Sequence, residues 1–247
     1  MALLMSNTFN WPNAIAQAIE SYGFSSRDWF AQWHLPYPQG LHYCHQVELG
    51  YLEDFLVFIS QKTGDDLFIY RVHQYFSPTM LDSFGIALMP SKNIADAFRR
   101  TMNILGYVTD SIDFNLLEKE GDWRINMHLA HRDSLPLCKL LMLTTTQKLL
   151  QILVAPDFCF RRVELDFPLD SAHKVALDTI FRCPVEVDSS ETAFHFNPRE
   201  LMGILPGAND DMAEIHEKMF YQRLHKSLDK NISLQVKTVL IEHLPRG

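Results

Sequence analysis

The sequence predicts an α+β fold that is mostly helical, in which an antiparallel sheet of short hairpins packs against several helices. Several long stretches repeat apolar residues at the three- and four-residue spacing of a helix. Between them, short segments alternate apolar and polar residues, as strands with one buried face do. Hydrophobic residues make up 47% of the chain and aromatic residues 12%, which is typical of globular proteins and not of disordered ones.

Charge and cysteine content limit the function classes. The 247 residues carry a formal net charge of −8, which repels nucleic acid. Four dispersed cysteines without a C-x-x-C pair indicate reduced thiols, as in cytosolic proteins. No stretch approaches the roughly 20 apolar residues of a membrane span, and the start of the chain lacks a basic signal segment. We therefore expect a soluble cytoplasmic protein with no membrane partner.

Three helices are predicted in the first quarter of the chain. Residues 12–21 form the first, and Ser25 or Ser26 caps a second that runs to Trp33. Residues 46–63 have the strongest helical period of this region, and Gly64 supplies the C-terminal stop.

His42, Cys44 and His45, with His34 upstream, form the one cluster of metal-ligand residue types in the sequence. A zinc site needs four ligands at defined spacings, and no second pair follows at the required distance. We expect no metal and no other cofactor.

A further helix begins near Asn93, where Asn93 and Asp96 resemble a capping box. Its Arg99 and Arg100 lie away from the apolar face and are expected in solvent. Strands 113–117 and 123–129 then flank a polar turn and predict a β-hairpin. The polar row of the second strand (Arg124, Asn126 and His128) either faces solvent, which we favour, or lines a ligand site.

Residues 133–155 are the most apolar stretch and predict a helix buried on most sides. Ser134 can cap it, and Pro136 is tolerated in its first turn. Thr144, Thr145 and Thr146 interrupt the apolar run. Their hydroxyls either bond back to the preceding turn, the ordinary explanation, or form part of the wall of a small-molecule cavity.

The last third of the chain predicts a strand at 161–167, a helix at 170–181 and two short strands joined by a polar turn. The second of those strands, around Phe194 and Phe196, is expected to be half-buried. A helix then starts at Asn209 or Asp210. We expect its apolar stripe to be buried mainly within its own chain, with pairing to a second copy as the alternative: Met212, Ile215, Met219, Phe220, Leu224 and Leu228.

Four sequence blocks resemble one known family. Phe181-Arg-Cys-Pro-Val185 and Leu205-Pro-Gly-Ala-Asn209 are similar to the end of the N-terminal sensing domain of AraC/XylS-type bacterial transcription regulators, in the arabinose-binding-domain branch. Lys62-Thr-Gly-Asp-Asp66 and residues 84–98 agree with the same pattern. The resemblance covers roughly residues 40–247, and the order and spacing of the blocks carry it.

The resemblance implies a domain plan. Residues 1–207 would form the effector-sensing domain, residues 208–230 a connecting helix, and residues 231–247 the first helix of a helix-turn-helix DNA-binding domain. The rest of that domain is absent from the sequence, so DNA would be bound only through the missing part. The implied partners are a small-molecule effector of unknown identity and, as a possibility, a second copy of the chain.

Six residues are candidate effector contacts because each places a polar group within an otherwise apolar stretch: Tyr70, Arg71, His73, Tyr107, Trp123 and Thr145. Two other function classes remain open. The chain has none of the common catalytic or phosphate-binding motifs, which argues against an enzyme. A dimerisation module without a ligand would instead have a closed, fully apolar interior.

Overall fold

The computed structural model describes residues 3–4, 12–38, 47–108, 112–119, 121–129 and 135–228, and of residues 3–4, 106–108 and 224–228 it describes the backbone only. Its helices are α1 Pro12–Ser21, α2 Ser26–Gln32, α3 Leu49–Thr63, α4 Ile69–Val72, α5 Asp82–Leu88, α6 Ile94–Val108, α7 Pro136–Leu153, α8 Ser171–Phe181, α9 Pro198–Met202 and α10 Asp210–Leu228. Its strands are β1 Leu3–Leu4, β2 Val47–Glu48, β3 Ile112–Lys119, β4 Asp122–Leu129, β5 Arg162–Glu164, β6 Val185–Glu186 and β7 Thr192–Phe196. Short 3₁₀ turns occupy His73–Tyr75 and Pro78–Leu81. The predicted fold class, mostly helical α+β, is confirmed.

The predicted helix ends follow from local capping. The Ser25 hydroxyl accepts a hydrogen bond from the backbone N–H of Asp28 and opens α2. Gly64 ends α3 in the left-handed conformation with φ 66°, which glycine adopts without steric cost. At α6, the Asn93 side chain accepts from the Asp96 N–H at 2.8 Å. The Asp96 carboxylate accepts in return from the Lys92 N–H at 3.1 Å, so the predicted capping interaction is confirmed.

The main sheet has five strands in the order β3-β4-β7-β5-β6. The predicted hairpin is confirmed as β3 and β4, which pair over their whole length. The last two strands do not pair with each other. β7 lies between β4 and β5 and is antiparallel to both, whereas β6 pairs with β5 in parallel. A parallel neighbour requires a crossover, and α8 supplies it between β5 and β6.

Aromatic residues join the sheet to the helices. The Phe98 ring of α6 packs edge-on against Phe114 of β3 and Phe196 of β7, at 5.9 and 6.0 Å between ring centroids. Phe160 stacks on Phe194 of β7 at 4.5 Å. One continuous hydrophobic core therefore runs from the sheet into the helical layer.

The position of β7 in the middle of the sheet corrects one prediction. All five of its residues are buried, although the alternating pattern predicts a half-buried strand. Its polar side chains have partners that cover them: the Thr192 hydroxyl donates to Asp166 at 2.6 Å, and His195 lies against Asp122. Alternation shows only that two faces differ, and here ionic side chains cover the polar face.

Two further side chains expected in solvent are covered. Arg100 keeps only 15% of its side chain exposed, because it is held between Asp96 of its own helix and Glu217 of α10. Asn126, in the polar row of β4, is 2% exposed and donates to Glu191. Both are covered by partners distant in sequence, which a local pattern cannot reveal.

The apolar stripe of α10 is also placed differently from the prediction. Phe220 is fully buried, as is the small residue Ala213, but Met212, Ile215 and Met219 are 44%, 51% and 38% exposed. The helix docks on α5 with a narrow face. The expectation that the stripe is buried mainly within its own chain is therefore wrong for these three residues.

Some predictions fall on parts of the chain that are not described. They concern His42, Cys44 and His45, the capping role of Ser134, and the segment 231–247. Within the described ranges, no helix is long and apolar enough to cross a membrane.

Candidate ligand-binding cavity

A cavity of about 170 Å³ lies between the helical layer and β3. Helices α6 and α7 contribute most of its wall, and α1, α3, α4, α5 and β3 complete it. Apart from three threonines, the lining is aliphatic, aromatic or thioether: Ala14, Leu52, Val72, Phe76, Leu81, Phe84, Leu88, Ala97, Phe98, Leu105, Ile112, Phe114, Leu141, Met142, Leu149, Leu150 and Leu153. Among the described residues, no titratable side chain belongs to this wall.

The polar residues of the described wall are Thr101, Thr145 and Thr146. Thr101 donates to the Ala97 carbonyl at 2.9 Å, and Thr145 donates to the Leu141 carbonyl at 2.7 Å. Each of these two hydroxyls retains acceptor capacity only. Within the described part of the chain, Thr146 makes no hydrogen bond, so its hydroxyl is free to donate and to accept.

The N-terminus of α7 is fixed by a side chain from α3. The carboxylate of Glu53 accepts from the N–H of Leu137 at 3.0 Å and from the N–H of Cys138 at 2.8 Å. A carboxylate suits this position because the first N–H groups of a helix have no partner within it and carry a partial positive charge. Burial raises the pKa of Glu53, although the two backbone hydrogen bonds act in the opposite direction.

An ion pair fixes α7 to the sheet side of the domain. Lys139 is 2% exposed, and its Nζ lies 2.9 Å from Asp166 Oδ1. Burial would raise the pKa of Asp166, but the Thr192 hydroxyl and Lys139 bind the carboxylate and lower the pKa below its usual value. With Glu53 at one end and Asp166 alongside, α7 presents its threonines to the cavity in a fixed orientation. The prediction that this helix is buried on most sides is confirmed.

The sequence left two roles open for Thr144, Thr145 and Thr146, namely bonding to the preceding turn and lining a cavity, and the structure shows both. Thr144 and Thr145 bond back to the carbonyls of the preceding turn. Thr145 and Thr146 also line the cavity, whereas the buried Thr144 does not. The free hydroxyl is that of Thr146. The sequence pattern did not distinguish this residue from the other two threonines.

Tyr70 and Arg71, two of the predicted contact residues, lie outside the cavity wall and have other partners. The Tyr70 hydroxyl lies 2.9 Å from His173 Nδ1. Arg71 lies over the Tyr22 ring, with its Cζ 4.6 Å from the centroid, and pairs with Asp65 at 3.7 Å.

His73 also lies outside the wall. Burial lowers its pKa, and its Nδ1 has no hydrogen-bond partner among the described residues.

The other three predicted residues differ in position. Trp123 is the second residue of β4, opposite Phe196 and Glu118, and does not line the cavity. The side chain of Tyr107 is outside the described part of the chain. Thr145 lies in the cavity wall.

Sequence reasoning did not identify Thr101 or the aromatic residues of the wall, chiefly Phe84, Phe98 and Phe114, as cavity residues. Their apolar spacing marks them as core residues, and nothing in that spacing separates a packed core from a core with a cavity. A threonine on the buried face of α6, one turn after Ala97, was the available signal.

A second polar cluster surrounds His195 on the sheet. Its Nδ1 lies 2.8 Å from Asp122, its Nε2 lies 3.2 Å from Glu164, and Arg162 is 3.3 Å away. The imidazole is 1% exposed and none of these residues borders the cavity. The cluster thus covers the polar face of the sheet and shields the imidazole from solvent.

The cavity is connected to α10 through α5. Phe84 lines the cavity, and its ring lies 5.8 Å from the ring of Phe220. Two ion pairs also hold α10 in place. Its Arg223 pairs with Asp82 of α5, and its Glu217 pairs with Arg100 of α6. Through Phe84 and Asp82, α5 is therefore in contact with both the cavity and α10.

The family model described as the arabinose-binding domain of AraC transcription regulators, N-terminal, matches residues 45–203. The match spans more than half of the chain. This protein belongs to that family of AraC transcription regulators. The matched range includes the whole five-stranded sheet and most of the helices that form the cavity wall.

The arabinose-binding-domain fold is seen in a solved structure of a regulator. The crystal structure of transcriptional regulator CdpR from Pseudomonas aeruginosa is similar with a TM-score of 0.56 and 14% identity. The similarity covers 93% of this chain and 71% of that chain. At this identity the likeness shows the fold alone. A search of curated proteins gave no match.

Proposed function

We propose that this chain is the effector-sensing part of an AraC-type transcription regulator, in which a small molecule in the cavity controls an attached DNA-binding module. The contact between Phe84 and Phe220 carries the proposal, because it joins the cavity wall to α10. Residues 1–207 would be the sensing domain, residues 208–230 the connecting helix and residues 231–247 the first helix of the DNA-binding domain. The protein would act in the bacterial cytoplasm.

The mechanism requires an effector that prefers one arrangement of α5 and α10. A ligand shifts a conformational equilibrium only as far as its affinities for the two states differ. An effector filling the cavity contacts Phe84 and Leu88 of α5. It would therefore favour the arrangement in which α5 closes on it, and α10 would follow through Phe220, Glu217 and Arg223.

The chemistry of the cavity favours binding over catalysis. Its described wall offers no general acid, general base, thiol or metal ligand, and enzyme sites depend on such groups. We therefore propose a domain without catalytic activity.

A thermal-shift screen of small molecules tests the sensing function. A ligand that binds the folded state at 100 times its Kd adds about 2.7 kcal/mol to the free energy of unfolding. Thr101→Phe places a ring in the cavity from its half-buried wall, so every genuine ligand should lose its effect in this variant. The matched control is Thr179→Phe, at an exposed position on α8, which should leave every ligand effect intact.

Two results would refute the sensing function. One is a screen in which no compound stabilises the wild-type chain, together with a Thr101→Phe variant that is more stable than wild type. The cavity would then be a packing void that a side chain fills with benefit. The other is a hit that stabilises Thr101→Phe as strongly as wild type, because that ligand would bind elsewhere.

The exposed face of α10 favours a second function, pairing with another copy of this chain. Met212, Ile215 and Met219 form an apolar row, and Met202 and Ile204 add exposed apolar area near the start of the helix. The first turn of α10 carries Asp210 and Asp211, followed by Glu214, and the second half of the helix carries Arg223 and Lys226. Antiparallel pairing of two copies would place each acidic half against a basic half. We propose a homodimer through this face.

A further inference from the structure

We infer that the effector of this domain is a neutral, largely apolar molecule about the size of one substituted aromatic ring, with a single hydrogen-bonding group directed at Thr146. The inference rests on the proposed sensing function and specifies the ligand of the same cavity. A sugar or an ionised metabolite does not fit the wall.

The wall of the cavity limits the charge of the ligand. No described residue of the wall is ionisable, so a bound carboxylate, ammonium or phosphate group would lose its water without gaining a counter-charge. Burial of an unpaired charge is strongly unfavourable. The effector is therefore uncharged in the bound state.

The wall also limits the number of hydrogen-bonding groups on the ligand. A pentose has several hydroxyls, and each is both donor and acceptor. Among the described residues of the wall, three threonines carry hydroxyls, and two of these hydroxyls already use their protons on backbone carbonyls. The three hydroxyls therefore offer three acceptors and one donor, fewer than the donor and acceptor positions of a pentose. Some sugar hydroxyls would be left without a partner, which is unfavourable, whereas a single hydroxyl on an apolar ligand can be satisfied.

The volume of the cavity limits the size of the ligand. A cavity of roughly 150 Å³ lined by Leu, Ile and Phe binds benzene in another protein. The cavity here, at about 170 Å³, holds one ring with a small substituent. Phe84, Phe98 and Phe114 offer aromatic surfaces to such a ring.

The hydroxyl of Thr146 determines how the ligand is oriented in the cavity. Thr146 lines the cavity and has no hydrogen bond within the described ranges. Thr101 and Thr145 line the same cavity, and their hydroxyl oxygens can still accept. A hydroxyl on the ligand can donate to one of these oxygens and accept from Thr146.

Calorimetric titration of the chain with four probes tests the inference: benzyl alcohol, toluene, benzoate and L-arabinose. We expect benzyl alcohol and toluene to bind with one-to-one stoichiometry. We expect benzoate to bind at least roughly 100-fold more weakly than benzyl alcohol, because its carboxylate would be buried unpaired, and arabinose to give no heat of binding.

The hydroxyl contact is tested with Thr146→Val, which keeps the shape of the side chain. The affinity for benzyl alcohol should fall about three- to tenfold, the usual range for one hydrogen bond, while that for toluene should stay the same. Thr179→Val, on the exposed face of α8, should leave both affinities unchanged. An equal loss for both probes in Thr146→Val would overturn the assignment of Thr146.

The outcomes separate this inference from the sensing function. Binding of arabinose or benzoate that exceeds that of benzyl alcohol and is abolished by Thr101→Phe would overturn the ligand class and leave the sensing function standing. If none of the probes binds, the ligand class is overturned. If the compound screen also yields nothing and Thr101→Phe is more stable than wild type, the sensing function fails as well.

Discussion

The ring of Phe84, in the cavity wall, lies 5.8 Å from the ring of Phe220 on α10, in a tilted arrangement. Phe220 is fully buried, and it is the large apolar side chain through which the described part of α10 reaches the core. The contact therefore has two roles, since it anchors α10 on α5 and connects the cavity wall to α10.

Phe220→Ala is expected to lower the free energy of unfolding by about 3–5 kcal/mol, because it leaves a ring-sized cavity under α5. Met212→Ala in the same helix removes a side chain that is 44% exposed and should change stability by less than about 0.5 kcal/mol. Urea denaturation of both variants measures the difference. Equal losses in the two variants would show that α10 is not anchored by its Phe220.

Met219→Asp is expected to stay folded and to weaken self-association. Met219 is 38% exposed, so the new carboxylate can reach water and the cost of burying a charge does not arise within the chain. In a dimer paired through α10 the same carboxylate would enter the interface. Light scattering over a range of concentrations measures the dimer, and circular dichroism checks the fold.

Thr179→Asp is the comparison for this prediction, because it adds the same charge at an exposed position on α8, outside the proposed interface. It should retain most of the dimer. A Met219→Asp chain that unfolds would contradict the placement of α10, and one that associates like wild type would place the dimer elsewhere.

Asp166→Asn is expected to destabilise the chain at neutral pH by roughly 3 kcal/mol, because it removes the carboxylate partner of the buried Lys139. The pKa of Asp166 is lowered in the folded state. Its contribution is therefore fully present above the unfolded-state value, about 3.9, and is lost as the pH falls through the folded-state pKa.

The free energies of unfolding of wild type and Asp166→Asn should accordingly converge as the pH falls below about 4. Denaturation curves between neutral and acidic pH measure this. Asp157→Asn, at an exposed position, should follow the wild-type curve throughout. A gap between wild type and Asp166→Asn that stays constant into acid would contradict the role of the ionised carboxylate.

Cys138 is expected to resist modification in the native protein. It is fully buried, and burial raises the pKa of its thiol well above the usual value, so little reactive thiolate forms. Burial also raises the pKa of Cys183 to about 12. Among the three cysteines that the structure describes, iodoacetamide labelling followed by peptide mass spectrometry should therefore modify the half-buried Cys159 first. Modification of Cys138 at the rate of Cys159 would mean that the N-terminus of α7 opens readily.

The sequence by itself determined the features that depend on neighbouring residues. The caps at Ser25 and Asn93, the stop at Gly64 and the β3–β4 hairpin each follow from a few adjacent side chains, and each was predicted with its mechanism. Helical spacing also identified α7 as the buried centre. The blocks around Cys183 and Pro206 indicated the family.

Tertiary structure decided what depends on residues distant in the chain. Arg100 is covered because Glu217 reaches it, and β7 is buried because it lies in the middle of the sheet, between β4 and β5. Met212, Ile215 and Met219 are exposed because α10 docks through Ala213 and Phe220 instead. Apolar periodicity shows which face avoids water, but only the packing of whole elements shows whether that face meets a core, a cavity or another chain.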